Sequence, residues 1–394
     1  MNMVEYDPFS AEAMENPQPI YRRLRDEAPA YYLPKYGAWA LSRFADIWDR
    51  SSDPAFSAAR GTTPSHVLTK TQPVTPMLNL MDPPEHTELR RAVRPRFARA
   101  AIRDMEPVIR KLVKEALAKA LPRGGCDVIG DLAAQVSVKV ACMAIGIPLE
   151  DGDRLNELVW RFFAREAGVA GMTADGLRAG EELIEYFERL VDTRRRSGKS
   201  SADVIDMFRE FESSGRRFSD AEIASHLSML IIGGSETFPK TFANGVYRLW
   251  LHPDQRARLV REPGRIPGAY EEILRFDMPT QFLCRTLVKD VELHGQTLRT
   301  GQGAMFLYAS ANHDEREFDD PDVFDIDRRP NRILSFGAGT HACLGLHVAK
   351  MEGKVCFEEL LAAAPEYAVD EDHAERLRTE FVQGFAKLPV RFTR

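Results

Sequence analysis

The residues best suited to chemistry lie in one short run, Phe336-Gly337-Ala338-Gly339-Thr340-His341-Ala342-Cys343-Leu344-Gly345. Glycines let a backbone turn tightly and approach a flat ligand closely. A thiolate just before a helix N-terminus is favoured by the local dipole and the free N–H groups there. Such N–H groups also tune a metal-bound sulfur. His341, two residues before Cys343, is placed for an anionic group on the same ligand. A lone Gly-x-Cys would more often be a turn with a buried free thiol; the whole pattern favours a metal ligand.

Two other constellations add to this. His86 and Arg90 are four residues apart, so they share a helix face and suit a carboxylate. Alone, that spacing also fits an ordinary basic helix. Ile231-Ile232-Gly233-Gly234-Ser235-Glu236-Thr237-Phe238-Pro239-Lys240 interrupts a long helical pattern. Two interior glycines weaken the helix by about 1 kcal/mol each relative to alanine. Pro239 removes the N–H that would bond the Ser235 carbonyl, so an opened or kinked helix is expected. The Thr237 hydroxyl is expected to reach back to the Gly233 carbonyl. Such a groove has room for water and oxygen, and Glu236 and Thr237 beside it could relay protons. The plainer reading is a kinked core helix.

Most of the chain around these residues reads as helix. Pro19 to Asp26 starts at a proline, as first turns tolerate. Trp39 to Arg43 has a strand pattern and leads into a short helix. Residues 58 to 80 lack periodicity and read as a long, functional loop. From His86 to Leu117 apolar residues recur at helical spacing until Gly124-Gly125. Leu132 to Ile147 is apolar enough to be buried. Two helices are expected over Leu155 to Glu166 and Thr173 to Arg196. Ser219 and Glu222 form a capping signature that opens a helix to about Leu251. Shorter helices follow over Asp254 to Arg261 and Pro267 to Arg275. Residues 279 to 309 read as strands, a last helix follows Cys343, and Leu377 to Phe392 is mostly extended. Glu272 and Arg275, at i and i+3, are spaced to pair.

The cysteine loop resembles that of the cytochrome P450 family, and the resemblance extends over most of the chain. It implies a mainly α fold with small β-sheets, in which haem b lies between the long central helix and the cysteine-loop helix. Residues 1–394 are then one catalytic domain with no fused reductase. By the resemblance, Cys343 binds the iron, and Phe336, Gly337 and Gly345 shape the loop beneath the haem. His86, Arg90, Arg285 and His341 hold its propionates. Glu236 and Thr237 match the family's acid–alcohol pair, which argues against the peroxide-using branch. Glu272 and Arg275 match its structural Glu-x-x-Arg, with a partner expected in Phe324 to Arg328. Phe238 and Pro239 depart from the small hydroxyl residues common at those places. Ile333 stands where many relatives have histidine, so one propionate contact is missing or supplied elsewhere.

The reaction implied is insertion of one atom of O2 into an apolar small molecule, with electrons from a separate ferredoxin-type donor. Arg90, Arg91, Arg94 and Arg96, with Lys350 and Lys354, are a candidate docking face. The expected pocket draws on residues 60 to 80, Trp160 to Ala164, Met229 to Gly233, Gln281 to Leu283 and Phe381 to Phe385. Its members include Phe162, Phe163, Met229, Ile232, Gly233, Phe282, Leu283 and Val382. No charged anchor stands out, which favours a terpenoid, aromatic, steroid or fatty-acid-like substrate. The rival class is a non-catalytic haem sensor or redox protein, which would not need Glu236 and Thr237 as a proton relay.

Composition fits these expectations. The chain has 394 residues, 44% hydrophobic and 28% charged, which supports a large folded core. A net charge of -6 argues against nucleic acid as the main partner. Five scattered cysteines without a CxxC pair point to a reducing cytosol and away from structural zinc. The N-terminus lacks the basic and apolar regions of a signal peptide. The apolar run from Val136 to Ile147 is interrupted by Lys139 and reads as too short to span a bilayer. A soluble, cytoplasmic protein is expected.

Overall fold

The computed structural model describes residues 4–71, 75–164, 172–198, 200–213 and 215–393. It is 56% helical with small sheets, as expected. A 32-residue helix, Asp220–Leu251, runs through the centre. Its capping box is formed: the Ser219 hydroxyl accepts from the Glu222 N–H at 3.3 Å, and the Glu222 carboxylate accepts from the Ser219 N–H at 2.8 Å. Ala134–Ile145, Gly152–Phe163 and Ala174–Ser197 pack around it, as does the cysteine-loop helix Leu346–Ala363. Their apolar faces form one large hydrophobic cluster.

A second cluster lies under a five-stranded sheet. Its strand order is Ala30–Leu33, Ala38–Leu41, Gly303–Phe306, Leu283–Leu287 and Phe56–Ser57. Gly303–Phe306 runs parallel to Ala38–Leu41, and the other pairs are antiparallel. Ile333, just before the cysteine loop, packs against both clusters. The site therefore sits where the two cores meet.

The structure departs from several expectations. Residues 86 to 117 are not one helix. They divide into Glu85–Val93, a 3-10 turn Arg94–Phe97, Arg99–Arg103 and Glu106–Ala120. Pro95 and Pro107 lie at the starts of two of these pieces, where their missing N–H is tolerated. Among its described residues, the loop over 58 to 80 holds two short helices, Pro64–Val67 and the 3-10 turn Leu78–Leu80. The central helix is unbroken at Pro239. Val128–Ile145, longer than the apolar run from Val136 to Ile147 read from the sequence, is by length and composition alone enough to cross a membrane, and 72% of it is buried inside the protein.

Candidate active site

Glycine geometry shapes the cysteine loop. Gly337 and Gly339 have φ of +64° and +66°, a region that disfavours side chains. A Cβ on Gly339 would come within 2.3 Å of Ser52 Oγ and 2.6 Å of the Ser51 carbonyl. The loop closes when the Cys343 N–H donates to the Phe336 carbonyl at 2.7 Å. Asn312 fastens its approach: its Oδ1 accepts from the Leu334 N–H at 2.8 Å, and its Nδ2 donates to Ser335 Oγ at 2.9 Å. Cys343 is exposed, whereas the other four cysteines are buried. Protein packed around it nonetheless pushes its thiol pKa up. The Gly345 N–H and the Arg90 charge oppose that rise.

Glu272 and Arg275 anchor the segment before this loop. Their side chains are fully buried and bidentate, at 2.7 and 2.8 Å. Arg275 also donates to the carbonyls of Asn312 and Pro321 at 2.8 and 2.9 Å. Glu272 accepts from the Asp325 N–H at 3.1 Å and from Arg328 Nε at 3.3 Å. The third partner thus lies within Phe324 to Arg328, as the sequence suggested.

Beside Cys343 the structure gathers His86, Arg90, Arg285 and His341. The two imidazoles stack with centroids 4.1 Å apart. His86 is 1% exposed, yet neither ring nitrogen has a hydrogen-bond partner. Arg90 donates to the Ala342 carbonyl, and Arg285 to the Cys284 carbonyl at 2.7 Å. Neither guanidinium has a carboxylate partner among the described residues. Burial, then Arg90, depress His86 to a pKa of about 4. Burial, then Arg285, His86 and Arg90, depress His341. Two uncompensated guanidiniums and an orphaned imidazole make a site for an anion.

The central helix carries an exposed stripe within a largely buried stretch. Gly233 and Thr237 are exposed although Ser235, Glu236, Phe238 and Pro239 beside them are buried. Nothing lies within 4 Å of the place a Gly233 Cβ would take. Gly234 instead packs on Ala141, and its carbonyl accepts from Ser137 Oγ at 2.8 Å. Thr237 makes no bond to the Gly233 carbonyl. The i−4 hydroxyl bonds here come from Ser235, to Ile231 at 2.6 Å, and from Thr241, to Thr237 at 3.2 Å. Glu236 is held in the packed face by an ion pair with Lys240.

The family model for "Cytochrome P450" matches residues 268–391. "Putative cytochrome P450 123" of Mycobacterium tuberculosis is 37% identical over 98% of this chain and 96% of its own length. This chain belongs to the cytochrome P450 family. "Vitamin D(3) 25-hydroxylase" of Pseudonocardia autotrophica is 34% identical, covering 98% of this chain and 96% of that protein. The crystal structure of CalO2 superposes with a TM-score of 0.87, at 31% identity and 99% coverage of both chains. The protein is therefore a P450 monooxygenase with a haem b cofactor, acting on small molecules with O2 and redox partners.

The residues present fit haem. Its two propionates would answer the uncompensated cations. Among the described residues no group of three or more His, Cys, Asp or Glu side chains could hold a metal. One thiolate is enough when the ring supplies the remaining ligands. Ile333 packs as an apolar residue against both hydrophobic clusters.

The expected pocket residues are not all alike. Phe162, Phe163, Met229, Ile232 and Leu283 are half-buried, and Gly233 is exposed. Phe282 is corrected: it is 0% exposed, packed in the sheet-side core against Phe381 at 6.2 Å. Successive residues of an extended segment face opposite ways, so Leu283 leaves the core when Phe282 enters it. Val382 is buried and bridges Thr280. Residues 72–74, part of the expected 60 to 80 wall, and Glu166 at the end of an expected helix lie outside the described residues. The candidate docking face also narrows. Lys350 and Lys354 are tied to Glu271 and Glu106 at 2.5 and 3.0 Å, and Arg96 Nη2 donates to the Met143 carbonyl at 3.4 Å. Arg91 and Arg94 remain exposed. The ion pair of Lys240 with Glu236 was not foreseen. Its only sequence signal was the i, i+4 spacing from Glu236.

Proposed function

We propose that the Cys343 thiolate would bind the haem iron and that His86, Arg90, Arg285 and His341 would hold the propionates. Glu236 and Thr237 then conduct protons to the oxygen side, and the substrate is apolar and of secosteroid or steroid size. The observation that carries this is the cation cluster without an anion among the described residues, beside an exposed cysteine. Haem bound through a thiolate supplies reductive activation of O2. The chain's own work is to hold, exclude water and pass protons. Phe336, Gly337 and Gly345 hold the loop so that Cys343 faces the cleft. Half-buried Phe162, Phe163, Met229, Ile232 and Leu283, with no charged side chain among them, suit an apolar ligand. The hydroxylase of vitamin D(3), 34% identical, supports that size class.

The electron donor proposed is a ferredoxin. Arg94 and Arg99 lie near His347, on the cysteine-loop side, whose pKa is lowered by burial first and then by Arg99, Lys350 and Arg94. That positive patch suits an acidic partner. Replacing Cys343 with alanine is expected to abolish the thiolate-type CO difference band; a surviving band would refute the ligand. Reduction by a plant-type ferredoxin should slow steeply between low and high salt, whereas a flat response would remove the docking face.

A further inference from the structure

The hairpin formed by Glu375–Arg376 and Phe385–Lys387 carries a buried carboxylate in its turn. That turn, Thr379-Glu380-Phe381-Val382, is closed by one hydroxyl: Thr379 Oγ1 donates to the Val382 carbonyl at 2.8 Å and accepts from the Val382 N–H at 2.9 Å. It is strapped to the segment that leads to Leu283 and Arg285. The Phe381 carbonyl accepts from the Gln281 N–H at 2.9 Å, the Gln383 N–H donates to the Pro279 carbonyl at 2.8 Å, and the Phe381 and Phe282 rings lie 6.2 Å apart. The hairpin also meets the central helix: a Cβ on Gly384 would sit 3.1 Å from Asn244 Oδ1 and 3.4 Å from Lys240 Cβ. Glu380 thus stands at the edge of the expected 381 to 385 wall, between two elements that supply other pocket residues. It is 8% exposed, and its carboxylate has no ion pair or hydrogen bond among the described residues. The hairpin's own cations are engaged elsewhere. Arg378 pairs with Glu15 at 3.5 Å, Lys387 with Glu375 at 3.9 Å, and Arg376 lies over the Phe385 ring at 4.3 Å. The Glu380 oxygens are not sealed, unlike Glu352 Oε1, which is occluded without a partner. Holding a lone carboxylate in so enclosed a place costs free energy that no contact in the fold returns.

We propose that Glu380 is a substrate-binding residue whose carboxylate accepts a hydrogen bond from a hydroxyl at one end of an otherwise apolar substrate. This deepens the reading of a secosteroid- or steroid-sized ligand and rests on it. A hydroxyl fits better than an amine. An ammonium brings three donors, and the half-buried wall residues Phe162, Phe163, Met229, Ile232 and Leu283 have no side-chain oxygen or nitrogen to accept the other two. A hydroxyl brings one donor, and its bond to a carboxylate is charge-assisted and strengthened by the low-dielectric surroundings. A ligand without a donor leaves the carboxylate desolvated and unpaired. The site therefore selects against a wholly apolar ligand as well as for a hydroxylated one. Because the turn is fixed to both the 279 to 283 segment and the central helix, the hydroxyl is held at a set place, and that decides which stretch of the carbon skeleton is presented for oxidation.

The test uses haem-loaded protein and the variant Glu380→Met, which keeps the side chain's length and removes its charge. Vitamin D3, a secosteroid with one hydroxyl, and its 3-O-methyl ether are titrated into each protein, and the haem spin-state shift reads binding. The wild type should bind vitamin D3 roughly ten- to a hundredfold more tightly than the ether, the worth of one charge-assisted hydrogen bond. In Glu380→Met the two dissociation constants should converge, with vitamin D3 bound more weakly than by the wild type and the ether no more weakly. Ligand-free Glu380→Met should unfold at the wild-type temperature or above it, since only an unpaired carboxylate has been removed. Equal constants for the two ligands in the wild type, or the same preference kept in Glu380→Met, overturns the anchor and leaves the size reading standing. A midpoint several degrees lower in ligand-free Glu380→Met assigns Glu380 to holding the turn and overturns the anchor as well. If neither ligand shifts the spin state of the wild type, the secosteroid reading itself fails, and the anchor with it.

Discussion

Cys343, His86, Arg90, Arg285 and His341 are drawn from three distant stretches, and each is intelligible alone. Cys343 was legible because glycines and a following helix leave few other uses for a thiol there. His86 and Arg90 were half legible: their spacing gave a shared face, but only burial showed that the cations lack an anion. Arg285 carried no local signal and came from the family resemblance. Replacing Arg285 with leucine should keep the fold and weaken haem retention, since one charge-assisted contact to a propionate is worth about 1.5–3 kcal/mol. Haem transfer to apomyoglobin would measure it, and an unchanged transfer rate would remove Arg285 from the seat. Lys240 shows the converse limit. A Glu and a Lys four residues apart usually form a solvated pair, and only tertiary packing turned this one inward.

Among the elements, punctuation decided what the sequence revealed. The capping box at Ser219 and the helix behind Gly345 were readable because their signals are local. The division of residues 85 to 120 was also written locally, in Pro95 and Pro107, but apolar periodicity concealed it. The strand Gly125–Asp127 could not be read. Its partner, Pro389–Phe392, lies at the other end of the chain, and the Leu388 N–H reaches Asp127 Oδ1 across 261 positions. One junction of elements depends on pH. His226, on the central helix, accepts from the Leu78 N–H at 3.0 Å and stacks on Phe208 at 4.8 Å. It thereby fastens the loop that precedes His86. Burial depresses His226 to a pKa of about 4, while an unfolded histidine titrates near 6.5. Between those values the unfolded chain holds the extra proton, so stability rises with pH and is lost as pH falls from about 6.5 toward 4. The slope from this group is at most about 1.4 kcal/mol per pH unit. In denaturant titrations from pH 7 to 4.5, His226→Gln should lose that part of the slope. A slope identical to the wild type would assign the acid sensitivity elsewhere.

At the scale of the molecule, the proposed haem site lies where the helical core meets the sheet-side core, and Glu272 with Arg275 locks the segment that spans them. Both side chains are wholly buried. Glu272→Gln would leave Arg275 and Arg328 without their carboxylate, a loss of about 3–5 kcal/mol. Urea unfolding of the haem-loaded variant would show it, and a loss below about 1 kcal/mol would mean that the carbonyls of Asn312 and Pro321 suffice. The meeting of the two cores was not legible. Alternation could suggest strands over 279 to 309, but nothing in Gly303–Phe306 announces a parallel pairing with Ala38–Leu41.

The contact of Arg90 with the Ala342 carbonyl joins residues 252 positions apart. Closing so long a loop costs chain entropy before any bond rewards it, and such contacts slow folding. The haem seat is thus among the last regions that a growing or refolding chain can complete. A cofactor that binds only the closed seat draws the population toward it by mass action. Haem supply during synthesis, as well as the amino-acid sequence, then governs how much of this chain reaches its final shape.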